Sequence, residues 1–324
     1  MRVLITGATG FVGGHLTERL LQAGDVIVGL STSGSWSRQL HHLNPLARVE
    51  SLNVATVGPS ICAELIARKQ PEVVYHLAAQ PNPQASVDFP IETWNVNLGG
   101  TLNLLEGVRL SGLRPRIVLI GSGVSYGNPT AEYIPVDENC PLRPNNPYAA
   151  SKAAADLLAI QHVLAHNADI VIARPFNHAG PRQSEKYVLG GLARQVAEVE
   201  LGLKESVVVG NLNIVRDFTD VRDIVEGYYL LAKLGKSGEV YNIGQGVGTR
   251  LQDALDFLIS QATRSIEVRV DPARFRAVDS SYLIANPAKF RETTKWKPYY
   301  TIEHTLKDML DEQRRLVLEK AANL

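Results

Sequence analysis

The first fourteen residues of the chain, MRVLITGATGFVGG, constrain its fold more than any other stretch. Residues 2–6 are a short apolar run typical of a buried β-strand, and residues 11–23 carry apolar side chains at the spacing of an amphipathic helix. Gly7, Gly10 and Gly13 join the two at three-residue intervals. A strand, a glycine turn and a helix in this order predict half of a dinucleotide site, with the pyrophosphate at the helix N-terminus. A plain glycine-rich turn is the alternative that this stretch alone leaves open.

Composition fits an ordinary globular chain and excludes several classes of protein. With 324 residues, 45% of them hydrophobic, the chain can build one large or two moderate domains. Lysine plus arginine and aspartate plus glutamate both number 33, so charge gives no reason to expect nucleic acid or an anionic membrane as a partner. Cys62 and Cys140 lack metal-ligand spacing and favour a reducing compartment. We expect a cytoplasmic protein with no metal centre, signal peptide or membrane span.

Patterns farther along the chain predict a doubly wound parallel sheet. Apolar runs predict strands at 26–30, 48–52, 73–77, 116–121 and 169–173, and helical patterns occupy 60–69, 92–110, 147–166 and 221–234. We expect a dinucleotide-binding domain over 1–175, with 216–246 returning to it. A smaller mixed α/β lobe would comprise 176–215 and 247–324, with substrate between the two.

The second predicted strand does not end in a carboxylate. Asp or Glu at this position usually binds the 2′-hydroxyl of the NAD ribose. Here Ser31, Thr32 and, farther on, Arg38 offer hydroxyls and a cation that suit a 2′-phosphate. We therefore expect NADP(H), with NAD(H) as the alternative. Arg38 read as a solvated loop charge is the other interpretation.

Ser122, Tyr148 and Lys152 form a candidate catalytic set. Tyr148 and Lys152 are four residues apart on a predicted helix and so share one face. A positive charge within about 4–6 Å lowers the pKa of a phenol by roughly 1–3 units, which we expect Lys152 to do. Ser122 follows a predicted strand and can hydrogen-bond a substrate oxygen beside Tyr148. Taken alone, a Tyr-x-x-x-Lys pair is more often an ordinary helix surface.

The order of glycine turn, small-residue stretch, serine and Tyr/Lys helix resembles the extended branch of the short-chain dehydrogenase/reductase superfamily over residues 1–175. The resemblance implies a Rossmann-type fold, catalysis by Ser122, Tyr148 and Lys152, and a homodimer whose four-helix bundle comprises 92–110 and 147–166. It implies cofactor contacts from Gly7, Thr9, Gly10, Phe11, Val12, Gly13, Ser31, Thr32, Arg38, Asn53, Val54, Leu77, Ala78, Ala79, Gln80, Asn97, Tyr148, Lys152 and Pro175.

Later segments are similar to the GDP-mannose branch of that superfamily, which includes GDP-mannose 4,6-dehydratases and the reductases that act after them. These segments are RPFNHAGPRQ at 174–183, residues 209–223, DPARFR at 271–276 and TKWKP at 294–298. The resemblance covers essentially the whole chain. It implies substrate contacts from Ser122, Val124, Asn177, Val188, Arg194, Asn211, Arg216, Arg276 and Asp279. Arginine forks suit a diphosphate, although a single arginine is more often a surface charge.

Val124 separates two activities within this branch. A 4,6-dehydratase removes a proton from C5 and expels the C6 hydroxyl, so it needs an acid–base group besides tyrosine. The dehydratases have a glutamate two residues after the Ser/Thr, where this chain has Val124. We therefore expect NAD(P)H-dependent reduction of the C4 ketone of GDP-6-deoxy-4-keto-D-mannose to GDP-D-rhamnose or its epimer GDP-6-deoxy-D-talose. The alternatives are a nucleotide-sugar 4-epimerase, a GDP-mannose 4,6-dehydratase and a non-catalytic nucleotide-binding member.

Overall fold

The structure is a computed structural model that describes residues 1–274 and 282–322. Its strands are β1 (Arg2–Thr6), β2 (Val26–Ser31), β3 (Arg48–Ser51), β4 (Val73–His76), β5 (Arg116–Ile120), β6 (Ile170–Pro175), β7 (Asn177–Ala179), β8 (Ser206–Val209), β9 (Val215–Asp220), β10 (Val240–Ile243), β11 (Gly248–Arg250), β12 (Glu267–Val270) and β13 (Tyr282–Leu283). Its helices are α1 (Phe11–Gln22), α2 (Pro59–Lys69), α3 (Pro83–Asp88), α4 (Pro90–Trp94), α5 (Gly100–Leu110), α6 (Pro147–His166), α7 (Val188–Glu200), α8 (Val221–Leu234), α9 (Leu251–Ser260), α10 (Ala288–Thr294) and α11 (Ile302–Ala322).

A parallel sheet forms the centre of the larger part of the molecule. In the described ranges it has seven strands in the order β10-β6-β5-β4-β1-β2-β3. Side chains on β1 alternate between two cores. Val3 and Ile5 pack with residues of α1 and α8, and Leu4 packs on the other face with residues of α2, α5 and α6. The predicted doubly wound parallel sheet is confirmed.

The remaining elements build a smaller lobe. Strand β9 pairs with β7, β11 and β13, and β8 pairs with β12. Helices α7, α9 and α11 cover these strands with a second apolar core that includes Leu192, Leu255 and Leu310. Because β9 belongs to this lobe, α8 is the element with which the chain returns to the large sheet. The assignment of cofactor binding to 1–175 with 216–246, and of substrate binding to 176–215 with 247–324, stays a prediction.

The helix expected over 92–110 is present, and it contains one π-helical turn. It begins two residues earlier, at Pro90, and a π-helical turn at Asn95–Gly99 separates α4 from α5. Asn97 lies in this turn and is only 1% exposed. A π turn inserts one residue into the helical repeat and so changes which side chains face inward. Local propensity does not reveal such an insertion.

Arg182 connects the two parts of the molecule. Its guanidinium donates to both carboxylate oxygens of Glu18 on α1, at 2.7 and 2.6 Å, and to Nδ1 of His15 at 2.7 Å. Its backbone N–H donates to Glu312 on α11 at 2.5 Å. The φ angle of Arg182 is +72°, a left-handed conformation that is uncommon for a residue with a side chain.

Two further sequence expectations concern cysteine and membrane spans. Cys62 and Cys140 are both buried free thiols. In residues 1–274 and 282–322, no helix combines the length and the apolar character needed to cross a membrane.

Gly13 tests how tightly α1 packs on the turn after β1. A Cβ at this position would lie 2.3 Å from the carbonyl oxygen of Gly7 and 2.5 Å from that of Ala8, both of them backbone atoms. We expect Gly13→Ala to lower the free energy of unfolding by about 1–3 kcal/mol, as overpacking does. Gly99→Ala is the control because a Cβ there would meet no atom within 4 Å. Equal denaturant midpoints for Gly13→Ala and the unchanged protein would contradict the close packing.

Candidate active site and cofactor cleft

A cleft of about 480 Å³ opens at the carboxyl ends of the strands of the large sheet. The residues after β1, β2, β4, β5 and β6 all contribute to its wall. In doubly wound folds ligands bind at this edge, because the loops that follow neighbouring parallel strands converge there. Its lining includes Ser31 at the end of β2 and Asn53 after β3, together with Tyr148 and Asn177.

The glycine turn prepares one wall of the cleft for an anion. Gly7 has a φ of +71°, and a Cβ on it would lie 2.9 Å from the backbone nitrogen of Ala78. Gly10 is the N-cap of α1 and has no side chain to accept from the first N–H groups of the helix. Those groups have no partner within the helix, so they can donate to a phosphate. The shape and the donor set of this wall fit a dinucleotide.

Most predicted site residues line this cleft. Those that do are Gly7, Thr9, Gly10, Phe11, Val12, Gly13, Ser31, Thr32, Asn53, Val54, Leu77, Ala78, Ala79, Ser122, Val124, Tyr148, Lys152, Pro175 and Asn177. Arg38 is not in the lining and is exposed at the start of a short 3-10 helix, Arg38–Leu43. Asn53 uses its side-chain oxygen to accept from the N–H of Ala55 at 3.1 Å.

Gln80 and Asn97 also lie outside the lining, and they bond to each other. The N–H of Gln80 donates to Oδ1 of Asn97 at 2.7 Å, and Nδ2 of Asn97 donates to the carbonyl of Gln80 at 3.2 Å and to Oγ of Ser151 at 2.9 Å. Ser151 precedes Lys152, and its hydroxyl in turn donates to the carbonyl of Tyr148 at 2.8 Å. Asn97 therefore supports the cleft from behind.

Capping contacts fix the start of helix α6, which carries Tyr148 and Lys152 in its first turns. Pro147 occupies the first turn, and Oδ1 of Asn146 accepts from the N–H of Ala149 at 2.9 Å as an N-cap. The N–H of Tyr148 donates to Oγ of Ser86 at 3.1 Å, which satisfies another donor of the first turn. These contacts fix the position from which Tyr148 and Lys152 enter the cleft.

Burial, not Lys152, dominates the acidity of Tyr148. Burial raises the pKa of Tyr148 to about 12, and a hydrogen bond with Ser122 opposes the rise. The prediction that Lys152 lowers this pKa is wrong for this structure. Nζ of Lys152 donates to the carbonyl of Ile120 at 2.7 Å, and burial lowers the pKa of Lys152 to about 8. At pH 7 the site therefore has a neutral phenol and a cationic lysine.

A buried polar network lies beneath Lys152. Nε of Arg174 donates to Asp156 at 2.7 Å, and Nη1 donates to the hydroxyl of Tyr126 at 3.0 Å. That hydroxyl donates to Oδ1 of Asn242 at 2.8 Å, which links β6 and β10 to the segment after β5. The Asp156 carboxylate also favours the charged form of Lys152. Removing one partner from such a buried ion pair leaves an uncompensated charge.

Several cleft residues were not selected from the sequence. They are chiefly aromatic or polar and include Phe176, His178, Gln183, Tyr187, Tyr228 and Leu283. Nδ1 of His178 bonds to the carbonyl of Phe176 at 3.0 Å, and the His178 ring is stacked at 6.2 Å from Phe11. Phe176 and His178 flank the predicted Asn177, so their position was the available signal. Tyr228 belongs to an amphipathic helix, where the pattern indicates only a core residue.

A second cleft of about 290 Å³ adjoins the first and shares Asn177 and Tyr187 with it. The predicted substrate residues Val188, Asn211 and Arg216 line it. Arg194 does not line either cleft, and its Nε donates to Glu198 at 2.8 Å. The predicted Arg276 and Asp279 lie outside the described residues.

Comparisons with known proteins agree with this geometry. The family model for GDP-mannose 4,6 dehydratase matches residues 4–309. A GDP-6-deoxy-D-mannose reductase from Pseudomonas aeruginosa is 33% identical over 321 residues, which are 98% of this chain and 99% of that protein.

Two solved structures have similar folds. The structure of RMD from Pseudomonas aeruginosa complexed with NADPH has a TM-score of 0.85 and 30% identity, over 98% of this chain and 100% of that one. A UDP-glucose 4-epimerase from Thermus thermophilus, in complex with NAD, has a TM-score of 0.85 and 28% identity, over 97% of this chain and 99% of that one. The resemblance drawn from the sequence is confirmed. The chain belongs to the GDP-mannose 4,6-dehydratase family, in the nucleotide-sugar branch of the extended short-chain dehydrogenases/reductases.

Proposed function

We propose that this protein reduces the C4 ketone of GDP-6-deoxy-4-keto-D-mannose with NAD(P)H, giving GDP-D-rhamnose or its epimer GDP-6-deoxy-D-talose. One observation carries the proposal: among the described residues that line the large cleft, none is Asp or Glu, whereas Ser122, Tyr148 and Lys152 are all present. Ketone reduction needs a hydride and one proton donor. Elimination of water needs a further acid–base group, and the position expected for it is Val124.

Each catalytic residue has a distinct task in this proposal. The bound cofactor supplies the hydride that adds to C4. Tyr148 donates its phenolic proton to the C4 oxygen as the carbon–oxygen π bond is broken, and its pKa of about 12 keeps that proton in place at neutral pH. The Ser122 hydroxyl, which acts on the Tyr148 phenol to lower its pKa, would orient the same oxygen. The Lys152 ammonium, which also lines the cleft, would hold the ribose hydroxyls of the cofactor.

NADP(H) is the cofactor that we favour, with NAD(H) as the alternative. Ser31 and Thr32 line the cleft where a carboxylate would repel a 2′-phosphate. The RMD structure from Pseudomonas aeruginosa contains NADPH, and the Thermus thermophilus epimerase contains NAD.

The GDP moiety would occupy the second cleft. Lys186, Arg216 and Arg274 line it and supply the cations that a diphosphate requires, and Asn211 offers an amide for the guanine edge. In this proposal the large sheet holds the cofactor and the smaller lobe holds the nucleotide sugar, and Asn177 lies in the wall of both clefts.

We also propose a homodimer formed by a four-helix bundle. Large apolar side chains are exposed on the helices concerned: Ile91 on α4, Leu102 and Leu110 on α5, and Leu157 and Leu164 on α6. Two such helix pairs would cover each other, as bundle helices do. The two free thiols support a place in the cytoplasm.

The direct test of the reductase is a spectrophotometric assay. GDP-6-deoxy-4-keto-D-mannose should cause loss of absorbance from NADPH, and more slowly from NADH, with NMR of the product identifying rhamnose or talose. Tyr148→Phe should lower kcat by about 10²–10⁴-fold because it removes the proton donor. Tyr299→Phe, which alters an exposed side chain outside both clefts, should leave kcat unchanged.

The same assay distinguishes the alternatives. Conversion of GDP-mannose to a 4-keto sugar would indicate a dehydratase, and interconversion of C4 epimers without net cofactor oxidation would indicate an epimerase. Binding of both ligands without any turnover would indicate a non-catalytic member. Each of these outcomes would overturn the proposed reduction.

The pH dependence of the reduction should follow the ionisation of the Lys152 ammonium group. The pKa of Lys152 is lowered to about 8, so its cation is present below that pH and is lost above it. We expect kcat/KM to be constant between pH 6 and 7 and to fall by about tenfold per pH unit above 8. Lys152→Arg should be slower but should show no fall up to pH 10, because arginine stays charged. A fall of the same size in Lys152→Arg would assign the ionisation to another group.

The dimer is tested by light scattering at micromolar concentration. Leu157→Glu should weaken association because a charge replaces an apolar side chain that is 62% exposed on α6. Leu203→Glu is the matched control, since Leu203 is 57% exposed but lies outside the bundle helices. A monomeric unchanged protein, or equal weakening by both variants, would contradict the proposed bundle.

A further inference from the structure

Three potential metal ligands meet between two helices, α5 and α6, that pack on one face of the large sheet. Glu106 comes from α5, and His162 and His166 come from α6. One ligand atom from each residue can be chosen so that all three lie within 4.8 Å of one another. None of the three lines the cofactor cleft or the second cleft.

The helical spacing makes the two histidines suitable for one ion. Residues four apart lie on the same helix face one turn apart, which lets two imidazoles approach one centre. The ring centroids of His162 and His166 are 5.3 Å apart, with the ring planes at 67°. His162 is buried and His166 is exposed, so one ligand is held by packing and the other is open to an arriving ion.

The distance from Glu106 to His162 fits a shared ion. Nε2 of His162 lies 3.4 Å from Oε1 of Glu106. Two ligand atoms on a tetrahedral zinc, each about 2.0–2.1 Å from the metal, are about 3.3 Å apart. A strong hydrogen bond between these atoms would be shorter, near 2.8 Å. A simple His–Glu pair would also give no role to His166.

Arg109 orients the carboxylate of Glu106 and leaves its Oε1 atom free of hydrogen bonds from the guanidinium. Its Nε and Nη2 donate to Oε2 of Glu106 at 2.9 and 2.7 Å, and Oε1 remains directed toward His162. Hydrogen bonds to the far oxygen of a ligating carboxylate are a common feature of metal sites, where they fix its orientation. The positive charge of Arg109 opposes the ion, so moderate rather than very tight affinity is expected.

We propose that Glu106, His162 and His166 bind one divalent transition-metal ion of the Zn²⁺ type, with water as the fourth ligand. Two imidazoles and a carboxylate suit Zn²⁺ and its neighbours better than Ca²⁺ or Mg²⁺, which prefer oxygen. The ion fastens α5 to α6. Tyr148 and Lys152 lie on the first turns of α6, and Asn97 lies just before α5, so the ion stabilises the scaffold of the active site and takes no part in hydride transfer.

Zinc binding to the full chain tests this site. Protein freed of metal by a chelator is titrated with ZnCl₂ against a chromophoric competitor, and CoCl₂ is added separately to look for the intense visible bands of tetrahedral Co²⁺. We expect one ion per chain. His166→Gln should weaken Zn²⁺ binding at least tenfold and abolish the Co²⁺ bands. His166 is used because it is exposed, whereas a change at buried His162 risks the fold itself.

Two further variants make the result specific. Glu106→Gln should also weaken binding, since a neutral amide replaces the carboxylate. His304→Gln, which removes an exposed histidine from α11, should bind Zn²⁺ as the unchanged protein does. Failure to bind Zn²⁺, or equal affinity in His166→Gln and the unchanged protein, would overturn the proposal, and neither result depends on the reductase assay.

Discussion

The arrangement of the candidate active site depends on one buried amide, that of Asn97. Its oxygen accepts from Gln80 after β4, and its nitrogen donates to Ser151 on α6, the residue before Lys152. Three elements distant in sequence therefore meet at one side chain whose donors and acceptor are satisfied. A buried amide left without these partners would destabilise the fold, so this bonding pattern also specifies where α6 lies against the sheet.

Burial shifts the pKa values of Tyr148 and Lys152 in opposite directions, yet neither residue changes its protonation state at neutral pH. It raises the pKa of the phenol and lowers that of the ammonium, because each loses solvation of its charged form. At neutral pH the phenol still keeps its proton and the lysine still keeps its charge. The described lining of the cleft has no carboxylate that would alter this balance. The same two residues therefore bring a neutral proton donor and a cation to one cleft.

The sequence predicted the features that depend on local pattern. Apolar runs located six of the seven described strands of the large sheet, all except β10, and the three glycines located the turn between β1 and α1. The π turn at Asn95–Gly99 was missed, because no residue type there forbids a regular helix. Tyr228 was missed because it reaches the cleft through tertiary packing, whereas His178 was missed although it is next to the predicted Asn177. The predicted lowering of the Tyr148 pKa was wrong because the pKa is raised by burial. The four-residue spacing indicates proximity to Lys152 but carries no information about burial.

Arg182 limits how this chain can vary. Its φ of +72° suits glycine or asparagine, yet neither of these can form the paired bonds that the guanidinium makes with Glu18. Lysine offers a single point charge in place of the planar fork and would gain nothing in backbone conformation. The backbone conformation thus favours glycine or asparagine at this position, whereas the ion pair with Glu18 favours arginine. Arginine keeps the ion pair and accepts the less favourable backbone conformation. Arg182 lines neither cleft, yet its contacts with α1 and α11, which connect the two lobes, restrict which residues can replace it.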